Sequence, residues 1–459
     1  MSLYNYLPGA KACIRIAGVK DEDHVLIITD LPMLADYIGE AIKKYKIKCE
    51  CGIIYIPQFM RPMKKLPDCL EKSILASNVV FTILEGKEEE TAFRKSIVQL
   101  ATGKRKIFNM ISVKEEMFRS YGALSLSKDE FNEMVELTKK FALVLTMARG
   151  AKIQSAIYGE TNLEINLEGS MKPAIISTGA VLEGSWGNLP SGEAFILPRK
   201  AEDNGKMIVD GAITYLGPLI DPIKFEVIDN KINLIEANNR NNRGARKFKA
   251  LIEKIRNEAK KNGEDTSNIT RVCEFGIGTN PKAGAREVIE IEKIRGTIHI
   301  GIGDNSQFGG PIRAPSHIDM VITSPIVTID RKYTIIDRGF VKTPIIENYL
   351  SISYESFPDR LPPNSKIKVK DKGAVGVYET YLEKVWKDNR GNKFSWKIGD
   401  DETARMVRDI WDSIDKEREQ EYRKLCKLCK KYDESIVCQL INVLNRYDVI
   451  EIVPQTSWS

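Results

Sequence analysis

The chain has 459 residues, 69 of them basic and 63 acidic, with 42% hydrophobic residues, eight cysteines and three histidines. At roughly 150 residues per domain this length predicts two to four domains, and the composition is that of an ordinary soluble globular protein. A net charge of +6 on so many mixed charges does not imply a nucleic-acid partner, and no apolar run approaches the roughly 18 residues that span a bilayer.

The first 19 residues lack a basic segment followed by an apolar one, so no secretory signal is read there. The scattered cysteines read as reduced thiols, and the expected location is cytoplasmic. From residue 10 to about 125, strands ("HVLIITD", "CGIIYIP", "NVVFTIL", "KIFNM") alternate with helical spacings ("LADYIGEAIKKY", "PDCLEKSILAS", "EEETAFRKSIVQLATG"). This predicts a parallel α/β domain over residues 1–126, its sheet covered on both faces. No glycine fingerprint follows the first strand, so no dinucleotide is assigned. His24, at the start of that strand, has no acid or imidazole cluster around it and reads as structural.

A connecting helix is expected over 127–150, with Ser127 as N-cap, Glu130 completing a capping box and Gly150 as its stop. Residues 151–341 then turn to hairpins around Gly159-Glu160, Asp229-Asn230 and Asp330, interrupted by a helix from Ala245 to Asn262, which predicts a mostly antiparallel α+β domain. The basic tract "NNRNNRGARKFK" lacks interleaved aromatics and reads as a solvated loop and helix face, although an arginine there, or Arg313, could pair a substrate carboxylate. Residues 342–459 read as a partly helical appendage, with a charged strand, a long helix over Asp401 to Tyr432 and another in "ESIVCQLINVLNRY". Cys426, Cys429 and Cys438 lack a histidine or fourth thiol and read as core. A dimer contact or a lid are the functional options for this region.

The chemistry concentrates between Val272 and Asp319. His317 and Asp319 stand at i, i+2, so on a strand both face the same way. In "TIHIGIG" the isoleucines share one strand face and His299 the other, and the neighbouring glycines permit close backbone approach. Carboxylates and imidazoles at the ends of apolar runs are the donors that hold a metal while leaving reactive positions open.

The ordered segments "NLPSGEAFILP", "CEFGIGTNP", "EKIRGTIHIGIGDN" and "HIDMVI" resemble the motif set of the aminopeptidase T and S family of metallopeptidases, over roughly residues 10 to 340. The resemblance implies that Glu193, Glu274, Glu292, His299, His317 and Asp319 are ligands of a two-metal centre, with Glu193 and Glu274 also in catalytic roles. Glu292 lies further from His299 than in the peptidases, and Glu290 is the neighbouring alternative. Where the family carries a tyrosine after its first histidine, this chain reads Gly303, Asp304, Asn305, Ser306.

The function expected is hydrolysis of a peptide or small amide beside a free amino group, using two Zn, Co or Mn ions about 4 Å apart. An alternative is a ring-cleaving dioxygenase of the dihydroxypyridine type, with one Fe(II) on His299, His317 and Asp319. A third is a non-catalytic relative that binds metal or peptide. No nucleic acid or membrane partner is expected, and a homodimer is possible.

Overall fold

Apolar strands and amphipathic helices alternate through the first quarter of the chain, and in the computed structural model they form a parallel sheet with helices on both faces. The structure describes residues 5–155, 157–167, 174–181, 183–198, 200–201, 205–235, 241–308, 310–354, 361, 365–369, 409–446 and 450–453. Strands Glu50–Tyr55, His24–Thr29, Val79–Leu84 and Lys106–Ile111 run parallel, side by side in that order. Side-chain alternation sends Val25 and Ile27 against helices Leu7–Ala17 and Pro32–Lys44. Leu26 and Ile28 go against Asp68–Leu75 and Thr91–Val98.

Two parts of this lobe are absent from the sequence reading. Helix Leu7–Ala17 begins with Pro8 and Gly9, a pair that reads as a turn but that suits a first helical turn. The fifth strand, Trp186–Asn188, comes from much later in the chain and lies parallel to Lys106–Ile111.

Ser127 accepts the Glu130 backbone N–H, and Glu130 caps Ser127 in return, so the helix Lys128–Met147 starts as expected. Its end differs from expectation. Ala148 is already extended, and Gly150 opens the next strand, Gly150–Ser155, rather than capping the helix. The Asp330 carboxylate accepts the N–H groups of Arg149 and Gly150, drawing the chain into a sheet with Pro325–Ile329.

Beyond this point the sheets are antiparallel, one of nine strands and one of seven among the described residues. The hairpin turns fall at Gly159-Glu160, Asp229-Asn230 and Asp330-Arg331, and the last two pairs adopt positive φ. The expected helix runs Arg243–Lys261 behind an Asn242 cap. Inner faces of the two sheets share one core, in which Ile153, Phe225 and Val327 meet Phe275, Ile300 and Met320.

In the C-terminal region Lys366–Val369 pairs with Gln420–Glu421 and Ile450–Val453, and helix Glu434–Arg446 is present. The single long helix expected over Asp401 to Tyr432 is not. Residues 401–408 lie outside the described residues, and the rest is broken by a turn in which Asp415 accepts the N–H groups of Glu417 and Arg418. Helix resumes only at Tyr422–Leu428, because a short polar side chain offers the backbone a competing partner. All eight cysteines are free thiols, and Cys429 and Cys438 are buried. Among the described residues no helix is long and apolar enough to cross a membrane.

Replacing Ser127 with alanine should cost about 1 kcal/mol of stability. A urea midpoint identical to wild type would show that the capping box does not contribute.

Candidate metal centre

The site lies on one face of four neighbouring strands, and strand parity selects it. In Glu193–Ile196, Val272–Gly278, Ile298–Gly303 and His317–Ile322, the residues Ala194, Ile196, Phe275, Ile277, Ile298, Ile300, Ile302, Ile318, Met320 and Ile322 enter the shared core. The intervening residues, Glu193, Glu274, His299, His317 and Asp319, therefore face the other way. A register shift between Val272 and Glu274 re-aims the second strand, so that Val272 stays in the core while Glu274 faces the site.

Cross-strand register gives each of these side chains a glycine neighbour. Glu193 stands opposite Gly278, His299 opposite Gly276, His317 opposite Gly303, and Gly301 lies between Glu274 and Asp319. The space is used. A Cβ at Gly276 would lie 2.1 Å from the His299 ring, and one at Gly301 would lie 2.7 Å from the Glu274 Cβ and 3.1 Å from His317 Cε1.

Ligand-type atoms gather in two triads that share one residue: Glu193, Glu274 and His299, and Glu274, His317 and Asp319. Glu274 divides its oxygens between them. Its Oε1 lies 3.1 Å from His299 Nε2, and its Oε2 lies 3.5 Å from His317 Nε2. Glu193 Oε2 is 3.6 Å from His299 Nε2, and Asp319 Oδ1 is 3.0 Å from His317 Nε2.

The surroundings fit cation ligation. His317 Nδ1 sits 2.7 Å from the Asp304 backbone carbonyl, which can only accept, so that nitrogen keeps a proton, and Nε2, facing the carboxylates, is the one that would bind a cation once its own proton is displaced. Glu274 Oε2 is buried without a hydrogen-bond partner, an arrangement that a bound cation would resolve. Thr214 Oγ1 accepts the Asp319 N–H and fixes the end of that strand.

Glu292 lines the same cavity but joins neither triad. It arrives on the turn after the short helix Val288–Ile291. Beside it, Lys293 is 1% exposed and joins Glu292 Oε1 to Glu193 Oε2, the latter at 2.8 Å. The sequence reading misses this lysine, because "EKIR" has the look of a solvated turn. Glu290, the alternative to Glu292, instead points at Arg286 and does not line the cavity. His24 contacts the Ala76 carbonyl and Glu50 at the surface, apart from the site.

Burial alone would lower both imidazoles, but the carboxylates reverse its effect. Glu274, Glu193 and Asp319 bring His299 up to about 9, and Asp319 holds His317 well above its ordinary value. Burial also tends to raise Asp319, yet the His317 charge holds that carboxyl well below the usual range. Glu274 is raised by burial against the pull of both histidines. Burial brings Glu292 to about 7, opposed by Lys293.

The triads open into a cavity of about 990 Å³ between this sheet and the parallel one. The parallel sheet contributes Glu85, Asn109 and Ser112, at or near the carboxyl ends of its strands, where open α/β sheets bind ligands. Phe308 lies edge-on to His317 and to Phe195 and stacks with Trp186, forming an aromatic wall beside the metal-type ligands. The segment that reads Gly303, Asp304, Asn305, Ser306 where the resemblance implies a tyrosine lies outside the cavity lining: Asp304 pairs with the lining residue Lys95 at 2.8 Å, and Asn305 holds the Cys273 carbonyl. A different phenol, Tyr215, lines the cavity from another loop, 3.4 Å from Arg94.

A parallel α/β lobe joined to an antiparallel lobe is a fold found in solved structures. The chain is similar to the 2,5-dihydroxypyridine dioxygenase of Pseudomonas putida KT2440, with a TM-score of 0.55 and 16% identity over 75% of this chain and 99% of that one. It is also similar to wild-type AmpT from Thermus thermophilus, with a TM-score of 0.52 and 13% identity over 74% of this chain and 99% of that one. At these identities the likeness is one of fold. No protein-family model and no curated protein sequence matches the chain.

Gly276→Ala should displace the His299 ring and reduce bound divalent metal, measured by elemental analysis of the folded variant. Unchanged metal content would show that His299 takes no part in binding. Both imidazoles have raised pKa values, so a cation must displace protons from them. Affinity should therefore increase with pH toward about 9 and weaken as pH falls, with proton release seen in calorimetry across buffers. A pH-independent affinity would contradict imidazole ligation.

Proposed function

We propose that this protein is a metal-dependent hydrolase of aminopeptidase type, which cleaves the amide bond beside the free amino end of a peptide or small amide. The observation that carries this reading is Glu274, whose two carboxylate oxygens face two different imidazoles, each with a further acid beside it. That is the donor pattern of a carboxylate shared by two cations. Glu193, Glu274 and His299 would hold one ion, and Glu274, His317 and Asp319 the other. When bound, such ions supply a water activated near neutral pH and polarise the carbonyl that it attacks.

The chain's own groups do the rest. Glu292 stands outside both triads at the cavity wall, its carboxyl raised by burial, and from there would accept a proton and return it to the leaving amine. Glu193 and Glu274 then act mainly as ligands. Phe308, Phe195 and Trp186 offer an apolar wall to the substrate and exclude water on that side. AmpT, an aminopeptidase T, supports the reading at the level of a shared fold.

One observation favours a second reading. The aromatic wall beside His317 suits a planar ring, and His299, His317 and Asp319 could serve one Fe(II) in a ring-cleaving dioxygenase. The likeness to a 2,5-dihydroxypyridine dioxygenase is of the same fold-level kind. Buried Glu193, Glu274 and Glu292 weigh toward the hydrolase, since one iron does not require three further carboxylates.

Aminoacyl amides and short peptides, tested with Zn, Co or Mn, should be turned over by the wild type. Chelation and His317→Ala should each lower kcat/KM at least a hundredfold while leaving the circular dichroism spectrum unchanged. Failure to cleave any such amide, together with oxygen uptake on a dihydroxylated ring in the presence of Fe(II), would replace the hydrolase by the second reading.

A further inference from the structure

The buried ammonium of Lys293 touches one triad and not the other. Its Nζ lies 2.8 Å from Glu193 Oε2, the same oxygen that faces His299 at 3.6 Å, and it is also bonded to Glu292 Oε1. Its backbone is pinned on both sides, donating to the Glu290 carbonyl and accepting from the Asn280 N–H. The side chain is 1% exposed, at the wall of the cavity. Among the described residues His317 and Asp319 have no ammonium or guanidinium partner, and Asp319 spends its Oδ1 on His317.

We propose that Lys293 is a built-in cation that makes the two metal positions unequal. The triad of Glu274, His317 and Asp319 takes a divalent ion tightly, and the triad of Glu193, Glu274 and His299 takes a second one weakly and exchangeably. This rests on the reading that both triads hold cations. The physical reason is direct. An ion on the His299 side must share Glu193 with a fixed positive charge a few ångströms away, in a poorly solvated place where like charges repel strongly. A carboxylate already bonded to an ammonium is also a weaker donor. On the His317 side the same charge acts on Asp319 only through space, with no ammonium bonded to a ligand oxygen. The resting protein would then carry a single ion and reach its working state only when free metal is supplied. Lys293 is thus a positioning residue that sets metal loading through Glu193.

The test is a Mn²⁺ titration of the full-length, metal-stripped chain by calorimetry, with electron paramagnetic resonance to count free Mn²⁺. Wild type should bind in two steps whose affinities differ at least tenfold. His299→Ala should lose the weak step and keep the tight one, and His317→Ala should lose the tight step. Lys293→Met should strengthen the weak step at least tenfold, and Lys293→Arg should leave the two steps apart as in wild type. If Lys293→Met does not fold, Lys293→Gln is titrated in its place, with the same strengthening of the weak step expected and an unchanged weak step overturning the inference. Two equal steps in wild type, or a folded Lys293→Met with an unchanged weak step, would overturn the inference while leaving the two-metal reading in place. A single step lost in both histidine variants, or no binding at all, would overturn that reading and this inference with it.

Discussion

The architecture depends on a period of two. On three adjacent central strands, one face carries Phe275, Ile277, Ile298, Ile300, Ile302, Ile318 and Met320 into the core, and the other carries Glu274, His299, His317 and Asp319 into the cleft. Slipping any of these strands by one residue would bury ionisable groups among isoleucines and turn isoleucines toward the cleft. Burying an unpaired charge in that core is far costlier than losing a few apolar contacts, so the register is held by the residues that do the chemistry. Glycines opposite each ligand complete the arrangement, since a β-carbon at Gly276 or Gly301 would occupy space that a ligand side chain fills.

Electrostatics give the site its second constraint. Glu193, Glu274 and Glu292 are nearly inaccessible, and Asp319 is only partly exposed. Desolvation opposes ionising such a cluster, which explains the upward shifts of Glu274 and Glu292. Protonated imidazoles and the Lys293 ammonium offset part of the repulsion, and divalent cations would offset more. The parallel lobe adds a wall: Lys95 reaches across to Asp304, and the strand Trp186–Asn188 ties the chain just before Glu193 into the first sheet. Both lobes are therefore needed to shape the cavity.

Much of this was legible in the sequence. The alternation in "TIHIGIG" puts His299 opposite the isoleucines of its strand, the i, i+2 spacing puts His317 and Asp319 on one face of theirs, and the pairing of the two strands brings these faces together. The parallel lobe was equally plain from its strand-helix alternation, and the Asp229-Asn230 turn from its chemistry. What could not be read follows from long-range contacts. Trp186–Asn188 is too short to have a period, and its partner lies nearly eighty positions earlier. Lys293 is buried only because the turn after Val288–Ile291 folds back over Glu193. Gly150 was misassigned because its neighbour in the sheet depends on Asp330, far along the chain.

The central claim is that Glu274 is shared between two cation positions. Anomalous diffraction from crystals soaked in Mn²⁺ at high concentration tests it most directly. The account predicts two peaks, one against His317 and Asp319 and one against Glu193 and His299, with Glu274 touching both. A single peak ligated jointly by His299, His317 and Asp319, with Glu274 turned away, would contradict it.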